Sequence, residues 1–597
     1  MRERKEMENI DNQVSRRSFL KGAVAAGAVT AAAIALPGCT TSGGSSSAAS
    51  SGGSSAAASA ASSASAEASS EASSAQASGW RTPPAPIPDS EIKETLEFDI
   101  VVVGAGIAGI PAALTAVEGG AKTLLLEKEE VSGALTAGSH WIGAVNSKFY
   151  KEKGATYDRA AIVNDLMWHA SYRADQRLIQ LWFDNSGEII EWYVDRFTSK
   201  GTMNLMIEMH TKDTGGAHMS IPCAHVPVLG ETSVMGPNET GLRFSSEVLL
   251  NLAIEKGLDY RVQNKACQLI QNSTGAVTGL IVQAEDGTYY RCNASKGVIL
   301  CTGGYINNPE MREALNPAQN RTSIAIPAYV NGCTGDGIKM ALWAGAAMHD
   351  MHWWMDNDRG FHTGAAWRPG SQPWLKLDCY GNRFCNEDTP YDFGAYAGSL
   401  CPDHKWWNVF DDNYWSNVEK FGTTICSRMF PVEGAVNSEQ VTHSKEEFYG
   451  RYLGPFIERG LIIEAETFEG LIEAMKKTDD RLDKDVFTAT INRYNELCHK
   501  GVDEDFGKLP FRMQPIETGP FYAVQLTGTT LCNLDGVRIN QNVEVINSQG
   551  KPIGGLYAAG NDQGGFYGMS YPWYYGGLNC GRAITFACLA ARHALKR

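Results

Sequence analysis

No Cys-x-x-Cys pair occurs anywhere in this chain of 597 residues, although it holds 14 cysteines. That absence excludes covalently attached c-type haem, which needs Cys-x-x-Cys-His. Cys379, Cys385, Cys401 and Cys426 come closest to a cluster, but their spacing fits no iron–sulfur pattern, and single buried thiols are the simpler reading. Positive charge is also scarce. The 52 Lys and Arg face 67 Asp and Glu, and the formal charge of −15 argues against nucleic acid as a partner. A membrane-spanning run is missing too: the apolar stretch from Gly22 to Leu36 is shorter than the ~20 residues a spanning helix needs and is diluted by glycine. What remains is an ordinary globular composition, 43% hydrophobic and 10% aromatic, on a chain long enough for two or three domains.

The N-terminus carries Ser15-Arg16-Arg17-Ser18-Phe19-Leu20-Lys21 ahead of that short apolar stretch, the form of a twin-arginine export signal over residues 1–38. Leu36-Pro37-Gly38-Cys39 resembles a lipobox, with proline as a departure, and implies a lipid on Cys39 that anchors the protein at the outer face of the cell envelope. Thr40 to Ser78 is almost wholly Ser, Ala and Gly, a composition that cannot bury a core, so 39–95 is expected to be a tether. Folded, cofactor-loaded export also makes structural disulfides unnecessary.

The body opens on Phe98-Asp99-Ile100-Val101-Val102-Val103, a buried parallel strand by its unbroken β-branched run. It leads directly into Gly104-Ala105-Gly106-Ile107-Ala108-Gly109 and an Ala-rich helix. Such glycines let the backbone turn tightly and approach a pyrophosphate at a helix N-terminus. A second strand, Lys122 to Leu126, ends in Glu127, spaced to hold a ribose hydroxyl, with Lys128 beside it.

NAD and FAD share this frame, and three downstream segments resemble FAD proteins. Gly297 to Tyr305 carries Thr302-Gly303-Gly304 at a strand end. Thr334-Gly335-Asp336-Gly337 resembles the Gly-Asp-Gly helix start. Gly555 to Asn561 resembles the closing strand, with Asn561 after Gly560 where Glu is usual. The resemblance implies flavin contacts at Gly133, Ala134 and Gly138, in a degraded Gly-Gly stretch, and at Gly577 and Leu578 where the last helix begins. No second Gly-x-Gly-x-x-Gly in a strand–helix setting offers an NADPH site, and the Cys-x-x-x-x-Cys of disulfide reductases is missing after Glu127.

Between the flavin segments lies Gly381-Asn382-Arg383-Phe384-Cys385-Asn386-Glu387-Asp388-Thr389-Pro390-Tyr391. This stretch resembles the FAD-dependent fumarate reductase and 3-oxosteroid dehydrogenase family. Dicarboxylate reducers there read Asn-Glu-x-x-x-Arg-Asp with arginine as proton donor, whereas ketosteroid dehydrogenases read Asn-Glu-x-x-Pro-Tyr, as here. Tyr571-Pro572, ahead of Gly576-Gly577, is a second likeness to that branch, and the family's usual carboxylate-binding histidines and arginines are replaced. The resemblance implies an α/β fold: a discontinuous Rossmann-like FAD-binding domain (96–351 and 532–597) with an inserted α+β substrate cap (352–531).

It further implies reduction, or in reverse formation, of an activated C=C bond in a bulky, aromatic or polycyclic enone. Tyr571 and a backbone N–H of the Gly576-Gly577 turn would polarise the carbonyl, and Tyr391 would deliver the proton with help from Arg383, unless Arg383 only pairs with Glu387. Trp353, Trp354, Phe566, Tyr567, Trp573, Tyr574 and Tyr575 would supply aromatic walls, about half of them by packing. Electrons would come from a separate carrier such as a cytochrome. Two rivals stand beside this reading: an enoate reductase that recruits Arg359, Arg368 or His362, and an exported flavin protein that carries electrons without turnover.

Overall fold

The computed structural model describes residues 79–132, 141–209, 221–229, 241–325, 332–423, 427–432 and 440–597. The export signal, Cys39, the tether up to residue 78, and the expected flavin contacts Gly133, Ala134 and Gly138 lie outside the described residues. All described residues belong to one compact unit, Ser73–Arg597.

Its largest sheet has eight strands. In spatial order Glu544–Ile546, Pro552–Ala558, Tyr289–Leu300, Ile92–Val103, Thr123–Leu126 and Asp259–Arg261 lie side by side, Val277–Gln283 pairs onto Tyr289–Leu300, and Lys265–Gln271 pairs in turn onto Val277–Gln283. The central pairings are parallel: Val101 faces both Leu124 and Val298, and Leu556 faces Val298. Ile100 to Val103 and Leu124 to Leu126 are buried without alternation, as in parallel strands with both faces covered. The helices Gly109–Glu118 and Leu578–Leu595 pack on it and on each other. They approach closely where the first helix ends: a Cβ on Gly119 would lie 2.3 Å from the Leu595 side chain.

The second sheet is built on Phe521–Asn533. Trp354–Gly360, Lys405–Asp411 and Ile462–Ala465 run antiparallel to it, and Leu375–Leu377 extends the Lys405–Asp411 edge. Ser323–Ala325 joins it in parallel, although it comes from the segment assigned by sequence to the FAD domain. The long strand also continues past residue 531, so one continuous element links the cap to the closing flavin segment. A third, three-stranded sheet is formed by Ile142–Gly143, Ala224–Leu229 and Met203–Ile207. The segment expected to form the cap holds separate aromatic cores, one around Trp367, Trp374 and Phe410 and another around Trp407 and Phe487.

Candidate active site

At the C-terminal ends of the parallel strands lies a cavity of about 720 Å³, in the range of small-molecule and cofactor sites. Gly104, Gly106, Ala108, Glu127, Lys128, Thr302, Gly303, Asp336, Gly560 and Asn561 line it, all of them expected from the sequence. Gly104 adopts φ +96°, and a Cβ there would come within 2.4 Å of the Cys301 carbonyl oxygen, so only glycine permits the turn. At Gly106 the nearest atom to an added Cβ is 4.0 Å away, which leaves the backbone bare to the cavity. A bare glycine turn at the start of the helix Gly109–Glu118 is an anion cradle, because helix N-termini present unpaired N–H groups.

Glu127 is buried and its orientation is set by the main chain: Oε2 accepts from the Ala105 N–H at 3.0 Å and Oε1 from the Glu129 N–H at 3.1 Å. Lys128 donates to Thr334 Oγ1 and Asp336 Oδ2, at 2.6 and 2.8 Å. The charges of Lys128 and Lys339 hold the Asp336 carboxyl well below the usual range, against the opposing effect of its burial. A carboxylate for a ribose and a glycine cradle for a pyrophosphate suit FAD, and the donor set fits the group.

Three of the expected flavin residues do not line the cavity. Gly109 is packing: an added Cβ would stand 1.8 Å from the Gly104 carbonyl oxygen, so its role is close helix–strand approach. Gly577 takes φ +77° as the residue before the last helix, and its Cβ would strike the Trp141 main chain at 2.5 Å. Leu578 follows it, fully buried, with its N–H on the Tyr575 carbonyl at 3.0 Å. Sequence reading missed Asn264, Lys265 and Ala266, and Asn579, Cys580 and Ala583 on the last helix, all of which line the cavity. Neither group carries a motif of its own. Asp562 was also missed. Fully buried, it accepts from the Thr302 N–H and hydroxyl and the Gly304 N–H, and Thr302 Oγ1 in turn receives the Gly337 N–H. One carboxylate thus joins the three FAD-like segments, and burial pushes it up to about 6 despite those donors.

The two tyrosines are linked through Asp392 and Trp573. Tyr391 opens the helix Tyr391–Gly398 and is buried, its ring 5.8 Å from that of Trp573. The cation over this ring is Arg359, at 5.3 Å, and not Arg383. Arg383 binds Glu387 and Asp503, each bidentately at 2.7 to 2.9 Å, and its guanidinium lies over Tyr494 and Phe506. Its help to Tyr391 is therefore corrected to an ion-pair role inside the cap. Asp392, next to Tyr391, accepts the Tyr571 N–H at 3.0 Å, and Tyr571 Oη accepts the Asn579 N–H of the cavity wall at 3.2 Å.

The aromatic residues divide. Trp573 lies beside Tyr391, and Tyr574 stands edge-on to His169, 5.4 Å away. Trp354 donates to Tyr305 Oη inside the core, Phe566 packs between Trp182 and Phe586, and Tyr575 donates to Asp165. Among the other basic candidates, His362 is exposed and Arg368 donates to Gln440 Oε1 at 3.2 Å.

A family model described as an FAD binding domain matches residues 99–573, and one for the twin-arginine translocation signal matches residues 13–33. The chain is 28% identical over 508 residues to vinyl phenol reductase of Lactiplantibacillus plantarum, covering 83% of this chain and 96% of that one. It is 27% identical over 506 residues to a cytochrome fumarate reductase of Shewanella frigidimarina, covering 83% and 77%. Its fold matches 3-ketosteroid-delta4-(5alpha)-dehydrogenase from Rhodococcus jostii RHA1, solved with 4-androstene-3,17-dione, with a TM-score of 0.63 at 21% identity over 86% of this chain and all of that one. The chain belongs to the FAD binding domain family, as an FAD-dependent oxidoreductase of the fumarate reductase and 3-oxosteroid dehydrogenase group exported by the twin-arginine route.

Proposed function

We propose that the protein reduces an activated C=C bond of a bulky aromatic or polycyclic enone, or forms that bond in reverse, with Tyr571 holding the carbonyl and Tyr391 moving the proton. The observation that carries this reading is the bond from the Asn579 N–H to Tyr571 Oη. A tyrosine hydroxyl that accepts a main-chain N–H at a helix start keeps its own proton for a second partner. A substrate carbonyl oxygen there meets donors whose value rises as negative charge develops in the transition state. Bound FAD supplies the hydride chemistry. Tyr391, fixed by the first turn of its helix and by Trp573, hands its proton to the α-carbon, and the overlying Arg359 guanidinium eases the phenolate left behind.

Aromatic residues around the tyrosines, and relatives named for a vinyl phenol and solved with a steroid dione, support a flat, weakly polar substrate. Export and the absence of an NADPH motif support a separate electron carrier such as a cytochrome at the envelope, with Cys39 as the lipid anchor.

Arg359 favours a second reading, reduction of an enoate whose carboxylate it would hold. The two separate in one experiment: the FAD-loaded protein is reduced anaerobically with dithionite and its reoxidation followed against enones, cinnamates and dicarboxylates. Fast reoxidation by bulky enones alone supports the two-tyrosine reading, reoxidation by carboxylates alone supports the second, and none by any acceptor overturns both.

A further inference from the structure

A guanidinium sits deep in the FAD wall with no acid bonded to it among the described residues. Arg582, 1% exposed, is the fifth residue of the helix Leu578–Leu595. Its hydrogen bonds all go to uncharged acceptors: Asn579 Oδ1 at 2.8 Å, Asn561 Oδ1 at 3.1 Å and the Gln563 carbonyl at 3.4 Å. The Tyr567 ring lies 5.1 Å away, its Nε has no hydrogen-bond partner, and no ion pair joins it among the described residues. Asp562, the nearest acid in sequence to Asn561, gives both its oxygens to Thr302 and Gly304. A buried charge is normally paired, and helix N-termini favour anions rather than cations. Arg582 breaks both rules at once, so cation and helix end add to one positive field.

That field falls on a defined end of the cavity. Glu127 marks the ribose end, whereas Asn561 and Asn579, the two amides that Arg582 holds, line the wall nearest Tyr571. The ring system must face the substrate side, and placing it at this end rests on the role given to Tyr571. Two-electron reduction of the ring with uptake of one proton leaves it one negative charge richer, the electrons coming from an external donor protein or, in the laboratory, from dithionite.

We propose that Arg582 is a positioning residue whose uncompensated positive charge, held behind Asn561 and Asn579, stabilises the reduced anionic flavin and raises the reduction potential of the bound cofactor. Asn561 is integral to this device: a carboxylate there, the residue type usual in FAD relatives, would neutralise the guanidinium at its 3.1 Å contact.

The test is the potential of the FAD-loaded protein without substrate, measured by anaerobic dithionite titration against a reference dye. It does not depend on the tyrosine mechanism, which Tyr391→Phe tests separately. In Arg582→Met the reduced-to-oxidised equilibrium should fall about tenfold, equivalent to roughly 30 mV for a two-electron couple. Asn561→Asp, nearly isosteric, should shift it the same way, and Arg582→Lys should stay with the wild type. An unchanged potential in both neutralising variants overturns the proposal. So does a fall in Arg582→Lys equal to that in Arg582→Met, which would make packing rather than charge the cause. If Arg582→Met does not load FAD, Asn561→Asp alone decides.

Discussion

The Asp392 carboxylate accepts the main-chain N–H of Tyr571 at 3.0 Å, so a residue of the cap helix adjacent to Tyr391 holds the backbone of the second tyrosine in the FAD domain. The two hydroxyl-bearing residues are thereby registered to one another through a single buried group. Asp392 also accepts the Phe393 N–H at 3.0 Å, and burial still pushes it up to about 7.

Replacing Tyr391 by Phe keeps the ring against Trp573 and removes only the hydroxyl proposed as proton donor. Turnover should fall at least ~100-fold, with flavin content and melting temperature unchanged. Anaerobic stopped-flow reoxidation and the visible flavin spectrum read both.

Asp392, Asp356 and Asp562 have raised folded-state values, about 7, 6 and 6, with burial the largest cause in each. A raised carboxyl contributes stability that is fully present below its unfolded value, about 3.9, and is lost as pH rises through its folded value. Asp503, lowered to about 2 in its contact with Arg383, has already delivered its contribution above pH 4. Thermal stability should therefore decline from pH 5 to pH 8, and Asp392→Asn, which can still accept the Tyr571 N–H, should flatten the decline. Melting curves across that range check it.

Gly106→Ala and Gly109→Ala should part company. The first places a methyl in the open cradle and should leave the apoprotein melt within ~0.5 kcal/mol of wild type while lowering bound FAD. The second drives a methyl into the Gly104 carbonyl and should destabilise the fold itself by about 1–3 kcal/mol. Flavin stoichiometry beside denaturant unfolding distinguishes them.

Arg383→Met should act on folding rather than on chemistry. It takes the guanidinium from the buried carboxylates of Glu387 and Asp503, leaving Lys508, 3.3 Å away, as the cation paired with Glu387 and main-chain N–H groups on Asp503. Breaking a buried pair from one side costs about 3–5 kcal/mol. Soluble yield and chemical denaturation should register the loss, and FAD-loaded protein that survives should retain most of its turnover.

Asp562→Ala removes the acceptor shared by the Thr302 N–H and hydroxyl and the Gly304 N–H. Each stranded donor costs about 1–3 kcal/mol, so FAD should be lost at concentrations that saturate the wild type. Fluorescence titration of the apoprotein measures this.

The amino-acid sequence by itself determined the frame. Runs such as Ile100 to Val103, the Gly104–Gly109 turn and Glu127 are local signals, because a parallel strand, a tight turn and a ribose acid each need particular residue types at short spacing. Tyr391 and Tyr571 could be singled out for the same reason, each set in a short motif. Tertiary structure alone decided the roles that depend on what arrives from far along the chain. Gly109 and Gly577 look like flavin contacts in sequence, but neighbouring main chain fills the space beside them. Arg383 stands eight residues before Tyr391, yet its carboxylates claim it, and Arg359 brings the cation from another strand. Asp392, Asp562 and Arg582 gave no signal, because an isolated Asp or Arg is a surface residue until burial removes its water and dictates its partners.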